Sequence, residues 1–194
     1  MSEKSVQKRK YILETARKVF IQKGYKGVSM KDIVEACEIS RGGLYLYFSD
    51  TDEIFLEVLK MEAEEADDVF SVHVGKDATA VDILFLFLSE QKKELLRFKE
   101  TLAVAAYEYL FSHTVANKDN FLRSQFHSAV KILEKLIDLG IENGEFAAVD
   151  SNAAAKNIMY VLEGLKISSL TGGVSEETID REMMILMQGL IIEE

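Results

Sequence analysis

Proline is absent from all 194 residues, and with it the usual breaker of long helices. That absence sits badly with loop-rich all-β folds and lets helices run without interruption. Cysteine occurs once, as Cys37, which excludes an internal disulfide framework and fits a reducing compartment. The three histidines, His73, His113 and His127, lack the spacing of a metal site. Long hydrophobic runs are missing: a stretch such as Ile83 to Leu88 falls far short of the ~18 residues that span a bilayer. The first residues are charged and lack the apolar segment of a signal peptide. A cytoplasmic protein without a membrane partner is expected. No glycine-rich phosphate loop follows a strand and no nucleophile elbow is present, so the sequence implies neither an enzyme nor a cofactor.

What remains is a chain with 48% hydrophobic and 29% charged residues, the composition of a globular protein and not of a disordered tail. Its net charge is −10, a poor match to a polyanionic partner until the charge is divided along the chain. Residues 1–50 hold ten basic and six acidic side chains, net +4, which leaves 13 basic and 27 acidic in the remainder, net −14. The asymmetry suggests two tasks in one chain. A local basic face can hold phosphates because screening limits distant charges to about 8–10 Å.

The stretch Ser29 to Phe48 reads as two short helices joined by a tight turn. Ser29 and Asp32 form a helix start, with the serine able to cap free N–H groups and the acid in the positive first turn. Met30, Ile33, Val34 and Cys37 recur at helical spacing. Ser40 supplies a second cap, and Leu44 and Phe48 return to the core at i, i+4. Arg41, Gly42, Gly43, Tyr45, Leu46 and Tyr47 are left to face something else, and such a helix suits a DNA major groove. For Tyr45 and Tyr47 the plain alternative is core packing with a wet hydroxyl tip.

Around this unit the pattern is helical throughout, and the expected class is all-α. A first helix spans about Ser5 to Lys23, with Ile12, Ala16, Val19 and Phe20 on one face and Gly24 as its left-handed cap. Lys8, Arg9 and Lys10 are either phosphate contacts or a solvated charge run. A helix from Asp50 to about Phe70 follows, carrying an acidic face of Glu62, Glu64, Glu65, Asp67 and Asp68. His73 to Lys76 reads as a loop. Further helices are expected over about Thr79–Gln91, Leu95–Val115, Phe121–Asn143, Asn152–Leu170 and Glu176–Ile192. Asn117 to Asn120, Gly140 with Gly144, and Gly172-Gly173 mark breaks, and Asp150 or Ser151 caps the fourth of these helices.

The motifs Ala16, Phe20, Gly24-Tyr25, Asp32-Ile33, Ile39-Ser40, Gly42, Leu44-Tyr45, Tyr47-Phe48 and Glu53-Ile54 resemble the TetR family of bacterial transcriptional regulators over roughly the first quarter of the chain. The resemblance implies an N-terminal three-helix helix-turn-helix unit, residues 1–50, and a C-terminal helical effector-binding and dimerisation domain, residues 51–194. It implies a ligand-responsive regulator, a repressor that binds a palindromic DNA operator as a homodimer and is released by a small hydrophobic effector. Its candidate DNA contacts are Lys8, Ser29, Met30, Lys31, Arg41, Gly42, Gly43, Tyr45, Leu46, Tyr47 and Thr51. Candidate effector contacts are Phe87, Tyr107, Phe111, Phe126, His127 and Met159, although aromatics at helical spacing also serve as core. The last two helices offer Ala154, Ile158, Val161, Leu165, Met183, Met187 and Leu190 as a dimer face, with closure of the monomer core as the alternative. Three positions depart from the family pattern. Glu38 stands where a turn glycine is usual, Gly43 where a hydroxyl residue is frequent, and Thr51 where a lysine reaches phosphate. They leave a second reading open, an all-helical sensing or interaction protein with weak or no specific DNA binding.

Overall fold

The computed structural model describes residues 3–72, 78–113 and 120–192, apart from the side chains of 65–72, Lys99 and Phe121. Among the described residues the chain forms nine α-helices, one 3-10 turn and an isolated bridge between Phe146 and Ile191. The helices are α1 (Glu3–Lys23), α2 (Met30–Cys37), α3 (Arg41–Tyr45), α4 (Thr51–Val72), α5 (Ala80–Leu96), α6 (Ala103–Ser112), α7 (Phe121–Glu142), α8 (Ser151–Thr171) and α9 (Glu176–Gln188). None is long and apolar enough to cross a membrane. The chain packs as two compact units, residues 1–73 with 99–115, and residues 74–98 with 116–194. The expected loop at His73–Lys76 and break at Asn117–Asp119 lie outside the described residues, as do the side chains of Glu65, Asp67, Asp68 and Phe121.

In the first unit α1 buries Ile12, Leu13, Ala16, Val19 and Phe20 along one stripe, and Gly24, at φ 70°, ends the helix with its N–H on the Phe20 carbonyl. Ile33 and Cys37 of α2, Leu44 and Phe48 around α3, and Ile54, Phe55, Val58 and Leu59 of α4 complete the core. Burial of each Val, Leu, Ile or Phe among them contributes roughly 1.5–3 kcal/mol. The Phe20 and Phe55 rings meet edge to face at 4.8 Å, and two ion pairs, Arg9–Glu57 and Arg17–Glu62, join α1 to α4 beside them. From α6 come the buried Ala105 and Ala106, with the Tyr109 ring against Tyr25 and Phe55.

The second unit is built from α5, α7, α8 and α9 around Leu84, Leu88, Leu133, Ile137, Ile158, Leu162 and Leu186. Lys92 of α5 reaches Glu176 and Asp180 at the start of α9, at 2.9 and 2.5 Å. Each helix here starts on a side-chain cap: Thr79, Asn120, Asp150 and Ser175 accept the N–H three residues on.

Three expectations are corrected. Helix α5 runs on to Leu96, and the single helix expected over Leu95–Val115 is replaced by a 3-10 turn, Phe98–Glu100, followed by α6. The interruption falls where the chain passes from one unit to the other, and Thr101 there accepts the Ala103 N–H, a local bond that competes with continuation of the helix. Gly140 does not end α7. It lies inside the helix, and Gly144, at φ 73°, follows its end. Helix α9 stops at Gln188, short of Ile192, because the chain leaves it to pair with residues 146–147: the Ala147 N–H donates to the Leu190 carbonyl at 2.8 Å.

Candidate nucleic-acid interface

The interface begins at the N-terminus of α2. Ser29 has extended backbone and its hydroxyl accepts from the Asp32 N–H, while the Asp32 carboxylate accepts from the Ser29 N–H at 2.8 Å. This reciprocal box satisfies two of the four free N–H groups of the helix start. The Lys23 ammonium also donates to Asp32, and with the Ser29 bonds it holds the Asp32 carboxyl well below the usual carboxylate range. Lys31, one residue into α2, has a side chain 83% exposed.

Helix α2 then ends on Glu38, which takes the left-handed conformation at φ 53° and ψ 38°. The reversal aims the chain so that Ser40 can cap α3, its Oγ accepting from the Gly43 N–H at 3.1 Å. Leu44 and Phe48 are fully buried and fix the rotation of this short helix. The opposite face is thereby turned outward: Arg41, Gly42 and Tyr45 are exposed, and Leu46 is 83% exposed. The Arg41 guanidinium lies 5.5 Å from the Tyr45 ring centroid, so the two present one cationic and aromatic surface. Among the described residues, nothing beyond its chain neighbours and the backbone of its own helix lies within 4 Å of where a β-carbon on Gly42 would be. Packing within the monomer therefore does not require glycine there, and the bare backbone is open to an approaching partner. A β-carbon on Gly43 would meet the Ser40 hydroxyl at 3.1 Å, so the cap itself favours glycine at that position.

Of the other candidates, Lys8 and Ser29 are exposed, while Met30, Tyr47 and Thr51 are half-buried. Thr51 is the first residue of α4. The basic run of α1 is split in use: Lys8 faces solvent, whereas Arg9 turns inward to pair with Glu57 at 2.6 Å and to lie 5.0 Å from the Phe48 ring centroid. All the DNA candidates fall in the first unit, on the starts of α2 and α4, on α3 and the two residues after it, and on α1. Between α1 and α2, the Tyr25 hydroxyl donates to Asp52, and burial, then this bond, pushes its phenol above the ordinary value.

The candidate effector residues are not brought together in one unit. Tyr107 and Phe111 belong to the first, stacked at 6.2 Å with Phe111 78% exposed. In the second, Met159 is buried in the core, Phe87 and Phe126 are half-buried against it, and His127 is exposed. A surface groove of about 510 Å³ lies along α8 and α9, lined among others by Val161, Gly164, Ser168, Thr178 and Glu182, and none of the six candidates lines it.

In the dimer set, Ile158, Leu165, Met183 and Leu190 close the core of their own unit, and Ala154, Val161 and Met187 pack partly buried against it. The apolar side chains of α8 and α9 left outward are Tyr160, Ile167, Met184 and Ile185. The same helices carry two apolar stripes, 158/162/165 inward and 160/164/167 outward on α8. A search for one stripe per helix stops at the first.

Comparison with known proteins finds matches to both the N-terminal and the C-terminal part of the chain. Residues 12–58 match the family model described as "Bacterial regulatory proteins, tetR family", and residues 83–180 match "Tetracyclin repressor-like, C-terminal domain". The HTH-type transcriptional regulator YfiR of Bacillus subtilis is 31% identical over 156 residues, which cover 79% of this chain and 76% of that protein. A transcriptional regulator from Saccharomonospora viridis, solved in complex with choline, superposes with a TM-score of 0.84 at 22% identity, over 97% of this chain and all of that one. AibR, solved with isovaleryl coenzyme A and operator DNA, superposes with a TM-score of 0.67 at 19% identity, over 92% of this chain and 97% of that one.

Proposed function

Since the chain belongs to the TetR family of bacterial regulatory proteins and is a DNA-binding transcriptional regulator, we propose that it represses its target as a homodimer on a palindromic operator and leaves the DNA when a small hydrophobic effector binds. The observation that carries the reading is the outward face of α3. Two buried anchors, Leu44 and Phe48, leave Arg41, Tyr45 and Leu46 facing outward, which supports a role in reading the major groove. Arg41 reaches a guanine edge or a phosphate, Tyr45 and Leu46 meet base edges and thymine methyls, and Tyr47 bonds a phosphate. Lys8, the Ser29–Lys31 start of α2 and Thr51 position the unit on the backbone, where helix N-termini favour phosphate.

Effector binding falls to the second unit. Phe87 and Phe126 offer half-buried aromatic walls and His127 an exposed polar point, the mixture typical of small-molecule sites. The charge of −14 beyond residue 50 favours a cationic over an anionic effector. Dimerisation uses the outward stripe of α8 and α9, and a two-fold dimer supplies the two recognition helices that a palindrome demands.

The test is selection of genomic fragments bound by the full-length protein at low salt, followed by affinity measurements on the recovered site. A defined palindromic fragment bound by wild type, and lost in the Arg41→Ala/Tyr47→Ala double variant while the dimer persists, supports the reading. Recovery of no specific fragment sinks it and leaves the all-helical sensing protein as the better description.

A further inference from the structure

We infer that Glu108 is a positioning residue for DNA binding: from α6 its carboxylate grips the Gly24–Gly27 turn and so sets where α2 begins. The inference rests on the DNA-binding reading above.

The turn is short and tightly closed. Gly24 sits at φ 70° with its N–H on the Phe20 carbonyl, and the Val28 N–H donates to the Tyr25 carbonyl at 3.3 Å. A β-carbon on Gly27 would come 2.4 Å from the Lys23 carbonyl oxygen, so the chain folds back closely on the end of α1. Those contacts are local. The Lys26 N–H instead donates to Glu108 Oε2 at 3.1 Å, across 82 residues of sequence. The same carboxylate covers the bare face of Gly24, where a β-carbon would lie 2.6 and 2.9 Å from its two oxygens. A left-handed residue can turn the amides that follow it outward as donors to an anion, and here the Lys26 N–H finds that anion in the Glu108 carboxylate.

A second contact from α6 grips the same turn. The Tyr109 ring stands edge-on to Tyr25 at 5.0 Å, and the Tyr25 hydroxyl is held by Asp52 of α4. The peptide fixed by Glu108 lies three residues before Ser29, which caps α2 and, with Met30 and Lys31, is a proposed backbone contact. A shift of Lys26 therefore moves the start of α2 and the phosphate-facing groups on it. The acid serves here as a backbone acceptor. It adds nothing to the attraction of phosphates, so its removal alters affinity by releasing the turn.

The experiment uses the full-length chain, the DNA fragment recovered by wild type, and the variants Glu108→Ala and Glu108→Gln. Alanine removes the acceptor, while glutamine keeps an oxygen of the same reach without charge. Three quantities are read: hydrogen exchange at the Lys26 amide, affinity for the fragment, and the dependence of affinity on salt. The expected result is faster Lys26 exchange and about tenfold weaker binding in Glu108→Ala, with the salt slope unchanged because no phosphate contact is lost. Glu108→Gln recovers to within about threefold of wild type. Unchanged exchange in both variants overturns the contact. Faster exchange with undiminished affinity, or a changed salt slope, overturns the positioning role. Should alanine fail to fold, glutamine decides alone: slightly faster exchange with slightly weaker binding supports the role, and any other pattern removes it. Failure of wild type to bind any fragment would sink the DNA-binding reading and this inference together, and is recognised by occurring without a substitution.

Discussion

The ring of Phe146 rests directly on Gly140, so closely that a β-carbon there would come 2.1 Å from the ring Cδ2. Phe146 is 2% exposed and belongs to the core of the second unit, so it has no room to retreat. Glycine inside a helix normally costs about 1 kcal/mol relative to alanine. At this site the sign reverses: Gly140→Ala should destabilise the protein by about 1–3 kcal/mol through overpacking. Urea unfolding reads it as a lower midpoint, and a higher midpoint would show that the ring moves freely.

Glu38 presents the opposite case. It holds φ at 53°, where an L residue with a β-carbon is strained by roughly 1–2 kcal/mol. Glu38→Gly should stabilise the fold by about 1 kcal/mol, the lower end of that range because the glycine also gains entropy in the unfolded chain, and so raise the urea midpoint. A fall in the midpoint would mean that the Glu38 side chain contributes more than the strain it causes.

Asp32 sets an acid limit on the helix-turn-helix. Its folded-state carboxyl is held below the ordinary range by Lys23 and by Ser29, so its contribution is present above the unfolded value of about 3.9 and lost as pH falls through the folded one. Asp82, bonded to Thr79 at the start of α5, and Glu57, bonded to Arg9 and Lys60, shift the same way. Stability should therefore fall below about pH 4. Asp32→Asn should be less stable than wild type at pH 7 and lose less on acidification. A variant curve running parallel to wild type down to pH 2 would count against this assignment.

These local devices are the part of the fold most legible in the sequence. Ser29 with Asp32, Ser40, Gly24 and Asp150 act within four residues of themselves, so their chemistry reads directly as helix ends, and Leu44 with Phe48 gives the rotation of α3. Positions decided by partners beyond the next turn of chain were not legible. Gly140 resembles a stop signal until Phe146 is seen on it. Leu95, Phe98 and Leu102 have the spacing of one helix, yet the chain changes units among them. Glu108 is one acid among 33 Asp and Glu residues, and only its place over Gly24 distinguishes it. On α8 the stronger stripe, Ile158, Leu162 and Leu165, turns inward, and the weaker one of Tyr160, Gly164 and Ile167 is passed over by a search for one apolar face.

Two of the basic side chains of the proposed interface, Lys31 and Arg41, should separate by their salt and sequence behaviour. Lys31 is almost fully exposed at the start of α2, placed for a phosphate. Lys31→Ala should weaken binding similarly on all sequences and reduce the salt slope by about 0.9. Arg41, oriented by Tyr45, should cost about 1–3 kcal/mol on the operator and less on unrelated DNA. Titrations of operator and random duplex at several salt concentrations distinguish these outcomes. Equal losses on both duplexes for Arg41→Ala would reassign it to the backbone.

The dimer face can be tested by a substitution that moves two measurements in opposite directions. Gly164 is exposed within α8, and among the described residues nothing beyond its chain neighbours and the backbone of its own helix lies within 4 Å of where its β-carbon would be. On the monomer alone, Gly164→Leu should add helix propensity and leave packing untouched, a gain of up to about 1 kcal/mol. If a second copy packs across the stripe of Tyr160, Gly164 and Ile167, the same leucine occupies the space its helix needs. Sedimentation should then show more monomer while the folded subunit is no less stable. Ile185→Glu, on the exposed face of α9, should dissociate the dimer in the same way by placing a charge in the interface. Ile158→Ala, by contrast, opens a cavity in the core and should cost about 2–5 kcal/mol of subunit stability. Dissociation by the two outward substitutions without loss of the fold places the interface on the outer stripe. An unchanged dimer in both would place it elsewhere on the chain.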